Sequence, residues 1–491
     1  MLLLVNLVAT PFTIRLLGPS RYGLWAVLQT SLIWASLSEA GMGLASTRFG
    51  ADRYARGDAR GESAVIWTAL SVTALTTTCM ALVIAIGAPF IVAHLLEVRG
   101  ALVGPGIVGL RIVAGVLIAQ AVAEIVNTPQ VVRLRWRQFT LVSGLASLIA
   151  AIGPPLALKV VSGGVVTVTT VALCAATVGA LGSFLLGVHL QPALRRPRVN
   201  RAVLRQLLSY GGALTIGGLA SIPRVTAERF FLAHNHSTTV VAYYAVAATL
   251  ATTLNVLPEQ LVGPLLPGLV RLEAQGRLDE QRSLYRKSLA ALFLCLTPAA
   301  IILAFLAHPF LSLWAGPAYG LHSTGPLLVI VGGVWFNCMA WVPYNYLLSC
   351  GRTKLIARVQ MAEVLPYLAG AWVLTSKFGA MGAAVVWSAS FVADSVIFFT
   401  VVRHVAPQLT FSPLSERRLR AIGAPVLLAC VAVAAATEWH GLVIRLGLAA
   451  GLGLIYAAVV WYMVLTAGER QGVSDLVAEI TRRSRKPRAA A

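Results

Sequence analysis

The chain has 491 residues, 58% of them hydrophobic and 12% charged, with 39 Lys and Arg against 18 Asp and Glu for a formal charge of +21. Mean hydropathy is +0.79. A water-soluble chain carries about 25% charged residues and could not hide this much apolar surface, so a soluble enzyme or binding module is excluded. The charge does not mark a nucleic-acid partner either, because the basic residues fall in short segments between apolar runs.

Hydropathy predicts an all-α, polytopic membrane protein of about 14 transmembrane helices. The first seven spans are 1–17, 22–45, 64–94, 105–126, 138–158, 164–188 and 207–233. The others are 239–266, 287–311, 324–349, 354–376, 380–402, 419–437 and 441–466. The opening span has no basic leader and no small-residue cleavage site, so it reads as a helix and not a secretory signal. It is short for a membrane helix, which places the expected start upstream of Met1. The run 64–94 is long enough to include a surface segment.

Connections alternate in charge. One set, with the segment after Thr466, holds 30 of the 39 Lys and Arg, and the opposite set holds five: Arg15, Arg21, Arg99, Lys159 and Lys377. Arg111, Arg224, Arg229 and Arg445 lie within spans. Basic loops stay on the cytoplasmic side, so both termini are expected there. The six cysteines (Cys79, Cys174, Cys295, Cys338, Cys350 and Cys430) show no metal-site spacing and no loop pairing.

An internal repeat runs at an offset of about 220 residues: Glu39 with Glu259, Ala55-Arg-Gly57 with Ala274-Gln-Gly276, and Pro89-Phe90 with Pro309-Phe310. Each copy holds six spans, so both copies cross in the same sense, the plan of two-lobed alternating-access transporters. The expected divisions are an N-terminal lobe at 1–195, a C-terminal lobe at 196–405, two additional helices at 406–467 and a basic tail at 468–491. In the tail, Val473, Leu476, Val477 and Ile480 keep helical spacing ahead of a basic run at 482–488. An amphipathic helix on an anionic leaflet and a solvated tail both fit that pattern.

The stretch 209–233 carries the most unusual chemistry. It has the length of a membrane helix, yet holds Arg224, Glu228 and Arg229 beside Pro223, preceded by Gly211, Gly212, Gly217 and Gly218. A charge near the bilayer centre costs on the order of 2.5–3.5 kcal/mol by insertion scales, so this helix is expected to face protein or a wet cavity. Arg224 and Glu228 are spaced to share a face and to neutralise each other in part. The glycines admit a close neighbouring backbone.

Several segments together resemble bacterial oligosaccharide (O-antigen and exopolysaccharide) flippases. They are Arg-Leu-Leu-Gly-Pro at 15–19, the run from Tyr22 to Trp25, the stretch from Glu39 to Arg48, Ala242-Tyr-Tyr-Ala245, the stretch 267–276 and Leu313-Trp-Ala-Gly-Pro317. That family lies in the superfamily of the multidrug exporters and the lipid II flippase. The resemblance implies two six-helix lobes around a central cavity, and a substrate made of a sugar chain linked through pyrophosphate to a polyprenol. It also implies a bacterial inner-membrane location, with a polysaccharide polymerase and glycosyltransferases as functional partners. Family members usually carry more residues before the first helix, again placing the expected start upstream.

For such a substrate the candidate contacts are Arg15, Arg21, Arg111, Arg224 and Arg229, because arginine forks bind pyrophosphate oxygens bidentately. On the expected topology Arg111 lies about 10 Å inside the outer edge of its span, and Arg224 about 26 Å from the cytoplasmic end of its own. Snorkelling to headgroups is the plainer role for Arg15, Arg21 and Arg229. Glu228, Glu363 and Asp394 are the ion-coupling candidates, on spans that resemble those where the lipid II flippase holds sodium. Structural pairing is their alternative. No cofactor is expected beyond a coupling sodium ion or proton, and no metal at His234-Asn-His236. A cation-coupled drug exporter and a membrane glycan polymerase or ligase are the competing functions. The first wants an acidic cavity, and residues 1–38 contain no Asp or Glu. The second wants a large outer loop, and 95–104 and 312–323 are short.

Overall fold

The computed structural model describes residues 2–35, 39, 41–161, 163–262 and 265–407, with isolated positions at Gly447, Gly451, Leu454, Tyr456 and Ala458. The expected spans 419–437 and 441–466 and the tail lie outside the described residues, apart from those isolated positions. Among the described residues the regular elements are all helical. They are α1 (Leu2–Leu17), α2 (Pro19–Ala35), α3 (Met42–Ala55), α4 (Ala59–Phe90), α5 (Val103–Val126), α6 (Thr128–Val132), α7 (Trp136–Val160) and α8 (Val165–Leu190). Then follow α9 (Arg201–Asn235), α10 (Thr238–Thr252), α11 (Val256–Val262), α12 (Leu265–Ala274), α13 (Leu278–Trp314), α14 (Pro317–Ser349) and α15 (Thr353–Val405). Eight described helical segments are long and apolar enough to cross a membrane.

Local chemistry sets the ends. Gly18 at φ 75° and Gly316 at φ 119° reverse the chain, and Pro19 and Pro317 then open α2 and α14, where a missing N–H costs nothing. Asp58 caps α4 by accepting the Gly61 N–H at 2.8 Å, and Asn200 caps α9 by accepting from Ala202 at 2.9 Å. Gly57 and Gly276, the matched glycines of the repeat, both take positive φ, 70° and 67°.

Two expected spans are not single helices. The run 22–45 breaks between α2 and α3 at Gly41, φ 64°. A Cβ there would lie 2.6 Å from the Gly211 carbonyl oxygen, so the α9 backbone passes too close for a side chain. The close approach expected of the span 209–233 is therefore made at Gly211. The run 239–266 breaks into α10, a short 3-10 turn at Thr253–Asn255, α11 and α12. Gly379, at φ 55° and ψ −132°, interrupts α15 between the two spans predicted there.

Two compact units form. The first holds Met1–Thr249, Leu311–Ile330 and Ala357–Ser390; the second holds Leu250–Phe310, Val331–Ile356 and Phe391–Ala491. In the first unit α5 packs against α4 and α8, α8 against α7, and α7 against α1. Leu17, Trp25 and Val168 form one buried cluster with Leu158 against it. Leu82, Val83, Ile86 and Phe90 on α4, and Leu141, Leu145, Ile152 and Leu156 on α7, stay exposed, as lipid-facing helices require.

A polar clamp ties the ends of α4, α6 and α8. Arg133 grips Glu62 bidentately at 2.6 and 2.9 Å, Gln191 donates to Glu62 at 2.7 Å, and the Arg133 guanidinium lies 4.5 Å from the Tyr54 ring centroid. In the second unit the Trp335 indole donates to Thr297 at 3.1 Å, and Ser395 donates to the Phe336 carbonyl at 2.7 Å.

Candidate functional site

The site builds from α9, whose 35 residues run about 52 Å and so exceed a hydrocarbon core of about 30 Å. Arg224 sits roughly 16 Å before its end. It is 9% exposed, and its guanidinium meets Glu363 of α15 at 2.7 Å. Glu228, 1% exposed one turn further on, accepts hydrogen bonds from Tyr244 of α10 at 3.2 Å and from Tyr367 of α15 at 2.8 Å. The spacing of Arg224 and Glu228 pointed to mutual neutralisation; in the structure each side chain has close partners on other helices. Arg229, the charged neighbour of Glu228, donates to Thr30 of α2 at 3.2 Å and keeps a buried Nε without a partner. Three helices of one unit, α9, α10 and α15, thus close around two carboxyls, two arginines and two tyrosines.

The other candidates lie elsewhere. Arg15 donates to the Leu313 carbonyl at the end of α13. The neighbouring Trp314 indole donates to the Leu7 carbonyl at 2.7 Å, an oxygen that loses its helical donor because Pro11 has no N–H. Arg15 of Arg-Leu-Leu-Gly-Pro therefore donates into Leu-Trp-Ala-Gly-Pro, and Trp314 of the latter donates back to α1 two turns before Arg15. Arg21 lies at Gly164, where an added Cβ would be 3.6 Å from its guanidinium. Arg111 donates to the Ala85 carbonyl of α4 at 3.2 Å. Asp394, 9% exposed, belongs to the second unit. His234 lies 3.7 Å from Glu97, and His236 bonds the Thr375 carbonyl at 2.7 Å. Among the described residues no group of three or more His, Cys, Asp or Glu is placed to hold a metal ion.

A second feature had no counterpart in the sequence reading. Between α2, α5, α7 and α8 of the first unit lies a cavity of about 400 Å³. Gln29, Gln120, Glu124, Asn127, Ser143, Ser147 and Ser183 face it, with Trp25 on the same wall. Glu124 is hydrogen-bonded to Glu39, which stands in the break between α2 and α3. Gly43 makes room for it, since a Cβ there would meet the Glu124 carboxyl oxygen at 1.9 Å. Uncharged polar residues scattered over four spans give no motif; the weak signal was the helical spacing of Ser143, Ser147 and Ala150.

The chain shares its fold with membrane transporters. An inward-facing multidrug resistance MATE family transporter of the MOP superfamily superposes with TM-score 0.73 at 13% identity, over 83% of this chain and 95% of that one. The lipid II flippase MurJ, in an inward closed conformation, superposes with TM-score 0.69 at 13% identity, over 93% of this chain and 99% of that one. A putative O-antigen transporter of Shigella flexneri is 28% identical over 193 residues, 39% of this chain. That match spans 46% of the relative's own length. The profile of the polysaccharide biosynthesis protein family matches residues 13–321. The chain is a multi-pass membrane protein that shares its fold with the MATE transporter and MurJ, and it belongs to the polysaccharide biosynthesis protein family.

Proposed function

We propose that the protein is a flippase that carries a polyprenyl-pyrophosphate-linked oligosaccharide across the bacterial inner membrane by alternating access, for cell-surface polysaccharide synthesis. The observation that carries this reading is the buried Arg224–Glu363 pair, in a chain of a polysaccharide biosynthesis family. A guanidinium held by one carboxylate exchanges it for a phosphate oxygen with little change of geometry, since both acceptors suit the same fork. Arg229, with its free buried Nε, lies close by on α9. The relative named as a putative O-antigen transporter supports the same substrate class. The role assigned to the protein is transport and not glycan synthesis; a polymerase and glycosyltransferases would act before and after it.

Drive is assigned to a sodium ion or proton at Glu228 and Glu363 of the first unit, with Asp394 of the second unit as a further candidate carrier. Exchange of Arg224 from Glu363 to phosphate would free a carboxylate for the ion, which links the two steps. An imposed sodium or proton gradient should then accelerate wild-type transport and leave Asp394→Asn and Glu363→Gln indifferent; equal responses would make these acids structural.

The reading is tested in the source cell. Deleting the gene should abolish the surface polysaccharide and leave its lipid-linked precursor on the cytoplasmic leaflet, and the intact gene should restore display. Normal display without the protein would overturn it.

A further inference from the structure

The cavity between α2, α5, α7 and α8 is used by none of the ionic groups assigned above, and its wall selects a ligand by chemistry. Gln29, Gln120 and Asn127 present amides to it, and Ser147 a hydroxyl. Amides and hydroxyls offer donors and acceptors side by side, which matches a sugar hydroxyl that is itself both. The Trp25 indole on the same wall gives an apolar face for the C–H surface of a pyranose ring.

Charge narrows the class further. No Lys or Arg is on the cavity wall, and Glu124 is, so a pyrophosphate meets only an acidic group there and is rejected. The Glu124 carboxyl is fixed in place by its hydrogen bond to Glu39 and by the space left at Gly43. About 400 Å³ falls within the 300–1,000 Å³ typical of small-ligand sites, enough for a short saccharide and far too little for a polyprenyl chain as well.

We infer that this cavity is the glycan subsite: it holds an uncharged sugar portion of the transported lipid, while the arginine-bearing helix α9 takes the charged link. The inference rests on the flippase reading and supplies its sugar-recognising part. Selection of the glycan then depends on α2, α5, α7 and α8, and not on the ionic cluster.

The test uses Ser147→Cys in a chain freed of its native cysteines, reconstituted in liposomes and labelled with a maleimide. The probe is the lipid-linked glycan purified from cells lacking the protein, with the bare polyprenyl pyrophosphate as control. The glycan-bearing lipid should slow labelling at least fivefold and the bare carrier should not. Gln120→Ala with Asn127→Ala should remove that protection and reduce flipping of the glycan-bearing lipid at least tenfold. Equal labelling with and without the glycan-bearing lipid would leave the cavity merely hydrated and overturn the inference even if transport proceeds. Protection without any flipping would instead sink the flippase reading and keep the binding site.

Discussion

Arg224 is paired with Glu363 across two helices, and not with Glu228 one turn away on its own helix. A low-dielectric interior makes that choice consequential, because removing one partner leaves the other short of its 2.7 Å counter-charge at a cost of up to about 3–5 kcal/mol. Arg224→Ala should lower protein abundance and abolish transport, while Glu363→Gln should lower abundance and leave a slow transport that does not respond to an imposed gradient. Replacing both by Met removes the stranded charge, so abundance should recover while transport does not. Arg224→Lys keeps the charge without the fork and should retain only a fraction of the rate. Immunoblots alongside surface-glycan display separate the two effects; full transport by the double Met variant would make the pair purely structural.

Glu228 should depend on its two tyrosine donors. Tyr367→Phe removes the shorter hydrogen bond and Tyr244→Phe the longer. Each should destabilise the purified protein by about 1–3 kcal/mol, the cost of leaving a buried acceptor short of a partner. Denaturation in detergent reads this. Unchanged stability in both variants would mean that Glu228 is satisfied in another way.

The exchange between Leu7, Arg15, Leu313 and Trp314 predicts a stability effect far from any transport chemistry. Trp314→Phe keeps an aromatic ring and deletes the indole N–H, so the Leu7 oxygen freed by Pro11 loses that donor. A loss of about 1–2 kcal/mol in the same denaturation assay is expected. Wild-type stability would show that water replaces the indole.

Topology is open to chemical mapping. A cysteine at Asn235, in a chain without its native cysteines, should react with a membrane-impermeant maleimide added outside intact cells, and one at Ser484 should not. The reverse pattern would invert the membrane orientation read from the arginine-rich loops.

Hydropathy and loop charge made the helical membrane class legible, and Arg224, Glu228 and Arg229 stood out in the sequence as a charged cluster within one apolar stretch. Partner choice was not legible: helical spacing sees Glu228 beside Arg224 but cannot see Glu363 arriving on α15, nor Tyr244 and Tyr367 arriving at Glu228. The breaks at Gly41 and at Thr253–Asn255 were hidden because a hydropathy window averages over a few residues of irregular backbone. The cavity lined by Gln29, Gln120 and Asn127 escaped for another reason. Single uncharged polar residues on four spans carry no motif, and only packing shows that they share a wall.

The most direct measurement is flipping in proteoliposomes that contain only this protein and a fluorescent polyprenyl-pyrophosphate glycan, read by quenching of the probe left in the outer leaflet. The wild-type protein should equilibrate the probe between leaflets at a rate proportional to protein content, and Arg224→Ala should fall to the rate of empty liposomes. Wild-type liposomes no faster than empty ones, under any imposed sodium or proton gradient, would contradict the account.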